Sequence, residues 1–92
     1  MIFDEFDKVI LDSINATEAT AYISFLYVER GRHVVNAEDA RNIWSPAMTK
    51  KGFTKAWIEF WKSAERRHLK DIEMIDLKIQ EVRERFNLEV EK

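Results

Sequence analysis

The stretch that decides the fold covers residues 53–92 and reads FTKAWIEFWKSAERRHLKDIEMIDLKIQEVRERFNLEVEK. It contains no glycine and no proline, and from Trp57 to Phe86 its apolar residues recur at intervals of three and four. This spacing is typical of one amphipathic helix. A helix from Thr54 to Leu88 would be about 50 Å long, whereas a compact domain of this chain length is about 30 Å across. We therefore expect the helix to extend beyond its own domain.

The composition of the whole chain also favours helices. The 92 residues include only two glycines and one proline, and 46% are hydrophobic. Few turn residues and a modest length indicate one all-α domain over residues 1–92. We expect three to four helices, with short helices in 1–52 and a long C-terminal helix over 53–90 that packs the core and associates.

Capping residues and breakers predict where the shorter helices begin and end. A first helix is expected over residues 3–14, with Phe3 and Phe6 on its apolar face. Asn15 with Glu18 forms the pattern of a capping box, so a second helix should begin at Ala16.

Glycine and proline predict the remaining boundaries. The second helix should end near Arg30, because Gly31 can adopt the left-handed conformation that follows many helices. Residues 32–35 are then a linker, and a short third helix follows the cap Asn36. Ser45 and Pro46 close that helix, and Thr54 caps the long one.

The long helix has two parts with different apolar patterns. Its first part carries a wide aromatic face that we expect to pack inside the domain: Phe53, Trp57, Phe60, Trp61 and Ala64. Its second part carries a narrower seam with the a/d spacing of a coiled coil over about two heptads: Ile72, Ile75, Ile79, Val82 and Phe86.

The narrow seam predicts self-association, with the chain forming a homodimer. Replacing Ile75 and Ile79 with Asp should then give monomers. The alternative is that the first helix folds back along the same seam, and two heptads do not distinguish the two arrangements.

Charge divides the chain into three segments. Residues 1–29 hold six acids and one base, residues 30–70 hold ten bases and four acids, and residues 71–92 hold seven acids and four bases. The ends and the middle can pair in a head-to-tail dimer, or the middle can bind an anionic partner.

Basic residues in the middle segment are interleaved with Trp57 and Trp61, which is a pattern found where proteins hold phosphates and stack bases. A helix, a turn and a helix around residues 37–70 would also suit a reader of the DNA major groove. The candidate nucleic-acid-binding residues are Lys50, Lys51, Lys55, Lys62, Arg66, Arg67 and Lys70.

Enzyme signatures are absent from the sequence. There is no cysteine, no phosphate-binding glycine loop and no zinc-protease motif, and neither His33 nor His68 has a spacing that suggests a catalytic triad. We expect a protein that is not an enzyme and has no cofactor.

One short pattern resembles the ferritin-like carboxylate proteins. Glu65 and His68 form an E-x-x-H pair, which in that family binds metal with glutamates from neighbouring helices. Glu18 or Glu29 could supply the extra ligand. Two features argue against a metal site: the positive charges of the adjacent Arg66 and Arg67, and the lack of a second E-x-x-H pair in the chain. We expect no metal, with Glu65, His68 and Glu18 as weak candidates.

The sequence thus predicts a non-enzymatic regulator, adaptor or inhibitor that binds an unidentified protein as a homodimer, through acidic surfaces if that partner is basic. The alternatives are a DNA- or RNA-binding regulator and a metal-binding bundle. No stretch is apolar enough to span a membrane and the start is acidic, so we expect a cytoplasmic protein. Its size and composition also suit a phage or plasmid accessory factor.

Overall fold

The computed structural model describes residues 5–88, apart from the side chain of Phe6. It contains three helices, α1 (Glu5–Ser13), α2 (Ala16–Ala47) and α3 (Lys55–Arg85), and no strand within those residues. The all-α prediction is therefore confirmed. Residues 3–4 and 89–90, which the sequence placed in the first and last helices, lie outside the described range.

Local capping chemistry sets two of the helix starts, as the sequence predicted. Asn15 Oδ1 accepts a bond of 2.8 Å from the backbone N–H of Glu18, whose carboxylate accepts one of 3.1 Å from the Asn15 N–H. Thr54 Oγ1 accepts a bond of 3.1 Å from the Trp57 N–H. Each cap satisfies backbone donors that the first helical turn leaves free.

The predicted helix end near Arg30 is wrong, because α2 continues through Gly31 to Ala47. The expected linker and the separate third helix belong to this same helix. A glycine costs a helix about 1 kcal/mol, and the packing of the following turns offsets it, because Ala37 and Ala40 are buried. Pro46 also lies inside α2, one residue before its end, where one lost hydrogen bond matters little.

The helices α2 and α3 form a long antiparallel hairpin. Contacts between them pair residues progressively later in α2 with residues progressively earlier in α3: Tyr27 with Arg83, Arg30 with Asp76, His33 with His68 and Trp44 with Glu65. The molecule measures 56 × 31 × 14 Å, with a radius of gyration of 17.6 Å. A compact domain of this length would have about 12 Å, so the hairpin is elongated and only one layer thick.

The large core side chains lie at one end of the hairpin, where α2 begins and α3 ends. There α1 packs on both long helices, and its Asp12 forms an ion pair with Arg85 of α3. This three-helix core consists of Leu11, Ala19, Ile23, Leu26, Ile75, Ile79 and Val82.

The other end of the hairpin has no third helix among the described residues. Its buried apolar side chains are all alanines: Ala37, Ala40, Ala47 and Ala64. With nine residues, α1 is about 13 Å long, whereas α3 is about 46 Å long. It can therefore cover less than a third of the hairpin.

Candidate functional site

The seam predicted for self-association lies mostly inside the folded chain. Ile75, Ile79 and Val82 are buried in the three-helix core, while Ile72 and Phe86 are half-buried. The arrangement is the one in which the first helix folds back, together with the start of α2. Self-association through these residues would require both α1 and the start of α2 to leave the core.

The turn before α3 and the first part of α3 carry one of the apolar surfaces that the fold leaves open. Phe53, Trp57 and Phe60 are 46%, 42% and 58% exposed. The prediction that this aromatic face packs within the domain is thus wrong for its three outer members. Trp61 is half-buried and Ala64 is buried, because α2 reaches only this far around α3.

The aromatic rings touch one another in an unbroken series. Centroids lie 6.3 Å apart for Phe53 and Trp57, 5.8 Å for Trp57 and Trp61, and 5.2 Å for Phe60 and Trp61. Met48, in the turn before α3, is 56% exposed. We call these five residues the aromatic tip. Exposed apolar patches of this kind mark interaction surfaces in many proteins.

The predicted nucleic-acid-binding residues divide into two groups. Lys50, Lys51 and Lys55 are exposed beside the aromatic tip, in the turn and at the start of α3. The others lie further along α3, where Lys62 Nζ sits 5.0 Å from the centroid of the Trp44 ring and Arg66 donates a bond of 3.0 Å to Ser63. Arg67 and Lys70 are exposed.

The hairpin does not have the geometry of a helix-turn-helix reader of DNA. In that motif the two helices cross at about 90–120°, whereas α2 and α3 run antiparallel for most of their length. The predicted reading of the DNA major groove by a helix, a turn and a helix around residues 37–70 therefore does not fit this hairpin.

The three weak metal candidates from the sequence are not brought together. Glu65 accepts a bond of 3.0 Å from Trp44 Nε1 and lies 4.0 Å from Arg41. Glu18 is used in the capping box at the opposite end of the hairpin. The two members of the E-x-x-H pair therefore have different partners. Glu65 accepts a bond from Trp44, and His68 faces another histidine.

That second histidine is His33, which the sequence placed in a linker. His33 Nδ1 lies 2.9 Å from His68 Nδ1 and 3.7 Å from Asp71 Oδ2. Sequence reasoning missed this cluster because the predicted break at Gly31 removed His33 from the helix. The spacing of His68 and Asp71, three residues apart on α3, was the available signal.

One ion pair beside this cluster holds the two helices in register. Arg30 Nε donates a bond of 2.6 Å to Asp76 Oδ1. This hydrogen bond, with the attraction between the charges, raises the pKa of Arg30 above its ordinary value.

In the part of the chain that the structure describes, no helix has both the length and the apolar character needed to cross a bilayer. Comparison of the chain with protein-family models, with curated proteins and with solved structures found no match.

Proposed function

We propose that this chain is a non-enzymatic binding protein that works as a homodimer, and that the aromatic tip joins the two copies. The main support for this homodimer is the series of touching, exposed aromatic rings at the open end of a single-layer hairpin. Aromatic side chains contribute strongly to association because each buries a large area. Helical domains normally cover such a face with a second layer of helices.

Charge favours a second copy that lies antiparallel to the first. Lys50, Lys51 and Lys55 surround the tip, so two tips placed against each other would repel. At the opposite end, α1 and the first turn of α2 carry four acids, Glu5, Asp7, Asp12 and Glu18, and one base, Lys8. Asp12 is paired with Arg85 of α3. In an antiparallel pair, each basic tip meets the acidic end of its partner.

The acidic end also offers apolar surface for the partner's tip. Val9 and Ile10 on α1 are 62% and 41% exposed. An antiparallel pair related by a two-fold axis uses the same two contacts twice and closes on itself, as most soluble homodimers do. The outer faces of α2 and α3 then remain available for a regulatory, adaptor or inhibitory partner, which their charged residues would select.

Sedimentation equilibrium across a concentration series tests this proposal. The native chain should have twice the chain mass of 11.0 kDa, and the double variant Trp57→Asp, Phe60→Asp should have the mass of one chain. Leu69→Asp is the matched control, since Leu69 is 47% exposed on α3 and belongs neither to the tip nor to the end covered by α1. It should remain dimeric.

Circular dichroism shows whether each variant keeps its helices. A folded native chain that stays monomeric throughout the series would overturn the proposal. So would a folded tip variant that dimerises as well as the native chain does.

Nucleic-acid binding is the second candidate, because exposed Phe53 and Trp57 lie among three exposed lysines at the tip. Fluorescence anisotropy with labelled single-stranded and duplex DNA tests it. Binding through these lysines should weaken with salt by a logarithmic slope of about −2 to −3 and should disappear in Lys50→Glu, Lys51→Glu, Lys55→Glu. The control is Arg32→Glu, which reverses an exposed charge away from the tip. No binding at low salt removes this candidate.

A further inference from the structure

The middle of the hairpin brings together two histidines and an aspartate. Within the described residues, His33, His68 and Asp71 are the one group of three such side chains whose ligand atoms all lie within 4.8 Å of one another. His33 comes from α2, while His68 and Asp71 lie three residues apart on α3, so both point from the same side of that helix. Two helices that are already packed together therefore hold the three side chains.

The distances between these atoms suit a small tetrahedral metal ion. Bonds of about 2.0–2.1 Å to nitrogen and oxygen place neighbouring ligands about 3.3–3.4 Å apart in a tetrahedron. The observed separations from His33 Nδ1, 2.9 Å to His68 and 3.7 Å to Asp71, lie on either side of that value. For these two pairs, rotations of the side chains that move the atoms by a few tenths of an ångström would reach it, and the third pair, His68 and Asp71, lies within 4.8 Å.

The surroundings leave a route to the site and remove one objection to it. Both histidines are half-buried, while the side chain of Asp71 is 54% exposed, so solvent reaches one side of the cluster. Of the two arginines whose charge argued against a metal in the sequence, Arg66 donates to Ser63 one turn nearer the tip, and Arg67 is exposed.

We propose that His33, His68 and Asp71 bind one Zn²⁺ ion between α2 and α3. Imidazole nitrogens favour zinc and its neighbours in the transition series, whereas Mg²⁺ and Ca²⁺ prefer sites made only of oxygen. Three protein ligands leave the fourth position for water. This proposal departs from the sequence-based expectation of no metal, and it does not depend on the dimer.

The bound ion would join the two long helices in the half of the hairpin where only alanines are buried. Metal that binds the folded chain more tightly than the unfolded chain raises the unfolding temperature. The bound ion would therefore stiffen the hairpin between its three-helix core and its tip.

Titration of the metal-free chain with Zn²⁺, in competition with a chromophoric zinc chelator, tests the proposal. We expect one ion per chain and an increase in unfolding temperature. Co²⁺, as a spectroscopic substitute, should give the visible absorption of a tetrahedral complex. His33→Gln, His68→Gln and Asp71→Asn should each weaken Zn²⁺ binding at least tenfold.

Two controls separate this site from general binding to acidic groups. Glu73→Gln removes an exposed carboxylate from the same helix, and Glu65→Gln removes the partner of His68 in the E-x-x-H pair. Both should bind Zn²⁺ as the native chain does. Circular dichroism of each metal-free variant confirms that its helices are intact.

Two results would overturn the zinc site. One is the absence of saturable Zn²⁺ binding by the native chain. The other is binding that survives unchanged in folded His33→Gln and His68→Gln variants, because the ion would then lie elsewhere. Neither result bears on the mass of the particle in solution, which tests the dimer separately.

Discussion

Individual side chains on α3 differ in how much of them the other helices cover. Val82 and Trp57 both belong to the apolar stripe of this helix, yet Val82 is fully buried and Trp57 is 42% exposed. The difference arises because α1 and the start of α2 reach Val82, whereas only the alanine-lined part of α2 lies near Trp57. Burial, rather than hydrophobicity, therefore decides what a substitution at each position does.

Ile79 and Leu77 provide a direct contrast at this scale. Ile79 is 4% exposed in the three-helix core, and Leu77, two residues earlier, is 46% exposed. Ile79→Ala should lower the free energy of unfolding by about 2–5 kcal/mol because it leaves a cavity, whereas Leu77→Ala should change it by about 0.5 kcal/mol or less. Urea unfolding at one protein concentration measures both. Equal losses would contradict the core described here.

The Trp44–Glu65 hydrogen bond gives a second prediction for single residues. The side chain of Glu65 is only 15% exposed, and Trp44 Nε1 donates to it. Trp44→Phe should cost about 1–3 kcal/mol, because the carboxylate loses a donor in a partly buried place. A double-mutant cycle with Glu65→Ala should show a coupling of at least about 0.5 kcal/mol. Independent, additive effects would mean that this bond contributes nothing.

At the scale of helices, boundaries set by local chemistry could be predicted from the sequence. Asn15 and Thr54 cap α2 and α3 as expected, because a cap depends on side chains within three residues. The continuation of α2 through Gly31 could not be predicted, because it depends on the tertiary packing of α2 along α3. The exposure of the aromatic tip could not be predicted for the same reason. The apolar spacing of α3 does not show which part of it a third helix covers.

The two glycines should respond in opposite ways to substitution by alanine. Gly31 lies inside α2, and an added Cβ would meet nothing within 4 Å, so Gly31→Ala should raise the free energy of unfolding by about 0.5–1 kcal/mol. Gly52 has a φ of +100°, which strains other residues, so Gly52→Ala should lower it by about 1 kcal/mol or more. Thermal unfolding measures both. A loss of stability in Gly31→Ala would indicate that α2 breaks there.

At the scale of the whole molecule, the hairpin has a covered end and an open end. The sequence correctly predicted a long last helix. It did not predict that α2 would be equally long and pair along it, and it located the surplus apolar surface in the wrong half. The end covered by α1 is acidic, and the open end is aromatic and basic. This polarity is the basis of the proposed antiparallel homodimer, in which each copy would cover the open end of the other.

The most direct measurement is the distance between the two tips in solution. The chain has no cysteine, so Lys51→Cys introduces a single site for a nitroxide label, and double electron–electron resonance measures the distance between labels on different copies. An antiparallel homodimer predicts a distance near the length of α3, about 45 Å. A distance below half the longest dimension of 56 Å would place the tips together, and no dipolar signal would mean no dimer; either result contradicts the account.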